Sequence, residues 1–286
     1  MALPDCFFQK PAAAMAGPWP LLMGIVNVTP DSFSDGGALA GPGAAVAHAL
    51  KLVREGADII DVGGESTRPG AGTVSAAQEI ARTAPVIREL RSRLSIPISI
   101  DTSKAEVART ALDAGADIVN DVTAGSDPEM FRLCAQRRCL LILMHMQGTP
   151  RAMQADPHYE NVVQEVAGYL QQRVDAATRA GIAPSHLWID PGFGFGKLPQ
   201  HNLQLVQGLQ KLAAMGFPIV LGVSRKSTLG HLTGARLGDR EPESLAAGLV
   251  GALQGASVLR VHEVGWMKRA VTVAKAMLVQ GDGWST

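Results

Sequence analysis

The chain reads as a single α/β domain, a closed (β/α)8 TIM barrel. Short apolar runs alternate with longer segments of helical period, the runs number eight, and each ends on polar side chains. The length of 286 residues suits one barrel, which takes about 250. A doubly wound open sheet is the runner-up. No GxGxxG follows the first run, and GFGFG at 192–196 follows the sixth with the wrong spacing for a dinucleotide site. The expected limits are an N-terminal arm at 1–20, the barrel at 21–280 and a tail at 281–286.

The runs lie at 21–27, 58–63, 98–101, 117–121, 139–145, 187–190, 219–222 and 258–262. The helix candidates are 43–55, 75–94, 104–114, 128–137, 159–180, 201–215, 243–254 and 266–279. EGAD at 55–58, AGAD at 114–117 and QGAS at 254–257 mark passages from helix to strand. Gly at a helix C-terminus accepts left-handed backbone cheaply.

The first run shows the pattern. Met23, Ile25 and Val26 form a buried strand that delivers Asn27 to its carboxyl end, and a polar loop follows. The other ends carry Asp61, Asp101, Asn120 with Asp121, His145, Asp190, Ser224 with Lys226 just beyond, and Arg260 with His262. In a barrel these ends ring one rim, where active sites are built. Asp and Asn also start turns and cap helices. Polar residues at all eight ends, with both signs of charge, exceed what capping explains.

Lysine plus arginine and aspartate plus glutamate each total 26, so bulk charge gives no reason to expect nucleic acid or an anionic membrane as partner. No run reaches ~18 apolar residues, so no membrane span is expected. Cys6, Cys134 and Cys139 show no CxxC or metal spacing. The first twenty residues lack the charge and apolar core of a signal peptide. A reducing, cytoplasmic setting is expected. No HExxH or GxSxG is present, and Ser227 suits a substrate donor better than a nucleophile.

Two groups of side chains suggest chemistry. Asp101, Asn120, Asp190 and Lys226 suit a flat heterocycle offering an NH–C–NH2 edge and a carbonyl, because a carboxylate accepts such an edge through both oxygens. Lys226 can pair with Asp190 or bind the carbonyl. Met144 and Phe195 offer apolar walls. Arg68, Arg260 and His262 suit phosphate oxygens. Asn27 can reach the same anion directly or through Mg2+, a hard cation that shares oxygen ligands with phosphate.

The motifs resemble the dihydropteroate synthase family of pterin-binding enzymes. They are NVTPDSFSDGG at 27–37, GGESTRPGA at 63–71, SIDTSK at 99–104, DIVNDVTAG at 117–125, LMHMQGTPRAMQ at 143–154, IDPGFGFGK at 189–197, LGVSRKS at 221–227 and RVHEV at 260–264. The resemblance spans about residues 21–279. It implies a transferase of folate biosynthesis joining 6-hydroxymethyl-7,8-dihydropterin diphosphate to 4-aminobenzoate, giving 7,8-dihydropteroate and pyrophosphate. It implies that Asp101, Asn120, Asp190, Lys226, Met144, Phe195 and Gly222 hold the pterin. Asn27, Arg68, Arg260 and His262 are implied for the diphosphate, with Mg2+ on Asn27. Phe33, Thr67, Arg68, Pro69, Lys226 and Ser227 are implied for 4-aminobenzoate. Asp101, Lys226, Arg68 and Asp35 carry the expected catalytic roles. A homodimer and inhibition by sulfonamides are expected too.

One departure is Glu263, where the family more often has Asp; it is expected outside direct contact with substrate. Two rival readings are a pterin-dependent methyltransferase domain and a non-catalytic pterin-binding homologue. The first needs no diphosphate cluster. The second should have lost Asp101, Arg68 or the first loop, and all are present.

Overall fold

The computed structural model describes residues 19–29, 42–66, 72–149 and 152–278. Its strands are β1 Leu21–Asn27, β2 Ile59–Gly63, β3 Ile98–Asp101, β4 Ile118–Asp121, β5 Leu140–Met144, β6 Leu187–Asp190, β7 Val220–Leu221 and β8 Val258–Val261. All the paired strands run parallel, in the order β6-β5-β4-β3-β2-β1-β8-β7. A bridge between Ile189 and Ile219 joins β6 to β7 and closes the ring. The expected barrel is therefore present. The arm at 1–18 and everything after 278 lie outside the described residues. Within the stretch expected as the arm, Trp19 packs against the outer core and Pro20 is buried.

The helices are α1 Pro42–Arg54, α2 Ala76–Arg93, α3 Ala105–Ala114, α4 Met130–Arg137, α5 Val162–Arg179, α6 Pro199–Gln207, α7 Leu209–Ala213, α8 Ser227–Thr233, α9 Glu241–Leu253 and α10 Val264–Leu278. Local chemistry starts several of them. Ser75 and Gln78 form a capping box at α2, and Asn161 caps α5 through the Gln164 N–H. The segment expected as one helix at 201–215 is two, α6 and α7, divided at Gly208. A Cβ at Gly208 would sit 2.7 Å from Val163, so the break permits close approach to α5. The short α8, with Gly230 in its middle, lacks the apolar period that would have announced it.

Alternation along the strands separates two cores. Met23, Ile59, Ile118, Leu140, Ile142, Trp188, Val220 and Val258 fill the barrel interior. Their neighbours, among them Leu22, Ile60, Val119, Leu141, Ile189 and Leu259, pack outward against the helices. Strand side chains repeat every two residues. Two residues above Ile59, Ile118, Ile142, Trp188 and Val258 stand Asp61, Asn120, Met144, Asp190 and Arg260, and four above Met23 stands Asn27. The apolar floor thus sets the facing of the polar mouth.

The same parity corrects part of the rim expectation. Asp121 and His145 each follow an inward residue and face outward. The Asp121 carboxylate accepts from Thr123 N–H at 2.8 Å and Gly125 N–H at 2.7 Å, bracing its own loop. His145 packs edge-on to Tyr169 with ring centroids 4.9 Å apart.

Candidate active site at the barrel mouth

Arg260, from β8, reaches across the mouth. Its Nε donates to Asp61 Oδ2 at 2.6 Å, and Nη2 donates to Asp101 Oδ2 at 2.7 Å. Nη1 has no hydrogen bond among the described residues. A guanidinium is a rigid fork of donors, so two directions are used and the third remains for a ligand. Burial works against the Arg260 charge, but Asp61 and Asp101 outweigh it and push its pKa up. Asp61 also accepts from Asn120 Nδ2 at 3.3 Å. Asp61 Oδ1 and Asp101 Oδ1 are buried without hydrogen-bond partners among the described residues. Burial raises Asp101 to about 7 although Arg260 pulls it down, with Asp61 adding to the rise.

Asp190 is held differently. Its Oδ1 accepts from the Gly192 N–H at 2.7 Å. Burial lifts its pKa to about 6, against the pull of that bond and of Lys226 and Arg260. The Lys226 ammonium stands 3.9 Å from the centroid of the Phe195 ring, a cation–π contact. Phe195 joins Val122, Met144 and Met153 in an apolar cluster beside the mouth. Gly222 lies next to Arg260, whose Cβ is 3.9 Å from where a Gly222 Cβ would stand.

Sequence reasoning gave Lys197 no role, yet it ties the Gly-rich loop together. This lysine is only 2% exposed. Its Nζ donates to Gly192 O and Phe195 O, each at 2.9 Å, and lies 2.9 Å from His145 Nδ1. Burial draws Lys197 down to about 7, while burial and then the Lys197 charge drive His145 to about 3. His145 is therefore neutral beside the lysine. The signal available in the sequence was a lysine immediately after GFGFG, in otherwise apolar company. Further bonds hold the same loop: Tyr159 Oη to Gly196 O at 2.8 Å, Gln154 Nε2 to Gly194 O at 2.8 Å, and Gly194 N–H to Asn202 Oδ1 at 2.7 Å.

Two other contacts were not foreseen. Ser224 Oγ meets the His262 ring at Nδ1, 3.0 Å away. Glu263 accepts from Arg225 Nη2 at 2.7 Å, linking the loop after β7 to the end of β8. Asn27 ends β1 opposite Gly63, near Asp101: a Cβ on Gly63 would meet Asn27 Oδ1 at 3.7 Å and Asp101 Cβ at 3.5 Å. Ser227 opens α8 directly after Lys226. Phe33, Asp35, Thr67, Arg68 and Pro69 lie outside the described residues. At the edge of one such stretch, Glu65 accepts from Lys104 Nζ at 2.5 Å and from Val74 N–H at 2.9 Å.

Among the described residues, no three His, Cys, Asp or Glu side chains gather as a metal cage. Asn27 Oδ1 is an oxygen of the kind a hard cation takes, and a magnesium held there would need phosphate oxygens and water as its other ligands.

The mouth thus joins buried carboxylates, an amide and two cations over an apolar wall, suited to a polar heterocycle beside an anion. Comparison with known proteins agrees. A family profile described as "Pterin binding enzyme" matches residues 23–262. A dihydropteroate synthase of Haemophilus influenzae is 45% identical over 245 residues, covering 86% of this chain and 89% of that one. The structure of the Xanthomonas albilineans dihydropteroate synthase with 4-aminobenzoic acid superposes with a TM-score of 0.88 at 47% identity, over 92% of this chain and 94% of that one. The Yersinia pestis dihydropteroate synthase in a sulfonamide drug complex gives 0.87 at 40%, over 91% and 94%. The chain belongs to the dihydropteroate synthase family of pterin-binding enzymes.

Proposed function

We propose that the mouth joins 6-hydroxymethyl-7,8-dihydropterin diphosphate to 4-aminobenzoate, with this division of labour. Asp190 and Asn120 take the amino-pyrimidine edge of the pterin. Lys226 takes its carbonyl, and Met144 and Phe195 flank the ring. Asp101 faces the part of the ring that gains positive charge. Arg260 Nη1, His262 and Asn27 receive the diphosphate. The supporting observation is the Asp61–Arg260–Asp101 array, in which a buried cation and a buried carboxylate stand side by side.

The reaction is a displacement at the pterin methylene with early C–O cleavage. Electron density from the ring nitrogens spreads the positive charge, and Asp101 stabilises it electrostatically. Pyrophosphate leaves with the C–O electron pair, towards Arg260 and His262. The amine lone pair of 4-aminobenzoate then forms the C–N bond and gives up a proton. No side-chain nucleophile takes part. Mg2+ belongs to this reading as an ion carried by the diphosphate and ligated by Asn27, where it would offset charge on the leaving group. Phe33, Thr67, Arg68, Pro69, Lys226 and Ser227 receive 4-aminobenzoate, and Arg68 also serves the diphosphate. Asp35 and Arg68 take the remaining catalytic roles, and water is kept from the reaction. Sulfonamides compete for the aminobenzoate position.

A cytoplasmic location fits the two buried free thiols, Cys134 and Cys139. No helix among the described residues is long and apolar enough to cross a membrane. A homodimer fits the exposed apolar side chains of α9 and α10, including Val250, Leu253, Trp266, Val273 and Met277. Sedimentation equilibrium tests the dimer.

Pyrophosphate release on adding both substrates with Mg2+ tests the reaction. Release that needs both substrates is expected. Pterin binding without release would overturn the reading in favour of a non-catalytic homologue.

A further inference from the structure

We infer that Ser224 sets the tautomer of His262, so that the neutral ring carries its proton on Nε2 and presents an N–H donor to the diphosphate. This rests on the reading that His262 holds that group.

The geometry lies where β7 and β8 part. Val220 pairs with Val258 and Leu221 with Leu259, so the same register sets Ser224 opposite His262. The ladder has ended there, and the Ser224 hydroxyl takes its place. The His262 backbone N–H donates to Ser224 Oγ at 3.3 Å, and the same oxygen lies 3.0 Å from His262 Nδ1. Ser224 is 5% exposed. A serine hydroxyl has one hydrogen to give and two lone pairs. The backbone N–H occupies a lone pair. Among the described residues, the only acceptor that Ser224 Oγ contacts is Nδ1. Were Nδ1 the protonated nitrogen, the buried hydroxyl hydrogen would have no acceptor, and such orphans are costly. The hydroxyl therefore donates to Nδ1. In a neutral imidazole that leaves the proton on Nε2, since the bond made by one ring nitrogen decides the state of the other. Clamping backbone and ring with one oxygen also restricts how the ring turns. Ser224 is thus a positioning residue. It acts through His262.

The test uses the full chain labelled with 15N-histidine, without ligand, at a pH where the ring is neutral. Long-range 1H–15N correlations separate the two tautomers, and the His262 signals are those lost in His262→Gln. Nδ1 is expected at the shift of an unprotonated ring nitrogen and Nε2 at that of a protonated one. Ser224→Ala should move both towards the average of two exchanging tautomers, and Ser224→Thr, which keeps the hydroxyl, should restore them. Calorimetric titration should show pyrophosphate bound about tenfold more weakly by Ser224→Ala, with a pterin lacking the diphosphate bound as before. A protonated Nδ1 in the parent protein would overturn the inference. So would parental His262 shifts in Ser224→Ala, or equal loss of both ligands. Full pyrophosphate affinity in His262→Gln would instead refute the diphosphate role of His262, and the nitrogen shifts distinguish the two failures.

Discussion

Arg260 and Asp101 meet at 2.7 Å across the barrel mouth although β1 and β2 separate their strands in the sheet. The contact exists because the sheet is curled into a ring, bringing side chains 159 residues apart into the same interior. Asp61, from the strand beside β3, completes the array with a second bond to the same guanidinium. One cation thus offsets two buried carboxylates, and removing it leaves both uncompensated.

Arg260→Ala should therefore destabilise the fold by about 3–5 kcal/mol, the usual cost of stranding one partner of a buried pair. It should also weaken pyrophosphate binding more than pterin binding. Lys226→Ala should do the reverse, at small cost to stability, since its ammonium lies over an aromatic face outside that array. Urea unfolding and separate titrations with pyrophosphate and a pterin test the split. Equal loss of both ligands in both variants would refute it.

Asp101→Asn should abolish turnover yet raise thermal stability, more so at pH 8 than at pH 5. Burial lifts Asp101 to about 7. Between the ordinary value near 4 and about 7, the folded chain holds this proton more tightly than the unfolded chain. The stability cost of ionising Asp101 therefore grows as pH rises through that window and is fully present above it. A neutral amide does not bear that cost, and Arg260 keeps Asp61 as partner. The melting temperatures of parent and variant should diverge by several degrees as pH rises from 5 to 8. A constant difference would count against a buried, raised carboxyl.

Affinity for a pterin without diphosphate should fall as pH drops below about 6. Asp190 titrates near there because burial raises it, and only the ionised form accepts two donors from the ring edge. With one group responsible, the dissociation constant rises about tenfold per pH unit on the acid side. Fluorescence titration between pH 4.5 and 8 would show it. A flat profile would remove Asp190 from the pterin edge.

Lys197→Met should cost about 2–4 kcal/mol, because Gly192 O and Phe195 O lose the donor they share in a buried loop. Pterin affinity should fall with it, since that loop carries both the N–H that holds Asp190 and the ring beneath Lys226. Gly192→Ala should be worse. Gly192 has φ of 66°, and its Cβ would stand 1.8 Å from His145 O. Chemical unfolding of both variants, with pterin titration of Lys197→Met, would check this. Unchanged pterin binding in Lys197→Met would mean that the loop keeps its shape without the lysine.

The linear chain by itself determined the barrel, the eight strands to within a residue or two, and the polar residues at their carboxyl ends. Those features are local: apolar runs of strand length, Gly where helices stop, and motifs that bear a family's chemistry. It did not determine which strand-end residues face the site. Asp121 and His145 looked equivalent to Asn120 and Asp190, and facing became readable only when Ile118, Leu140 and Trp188 were seen to fill the interior. Tertiary structure alone decided the binding of Arg260 to Asp61 and Asp101, the burial of Lys197 under the Gly-rich loop, and the clasp of Ser224 on His262. Each joins strands or loops through ring closure and register. Burial and partnership depend on what the distant parts of the chain bring alongside, which no local pattern records.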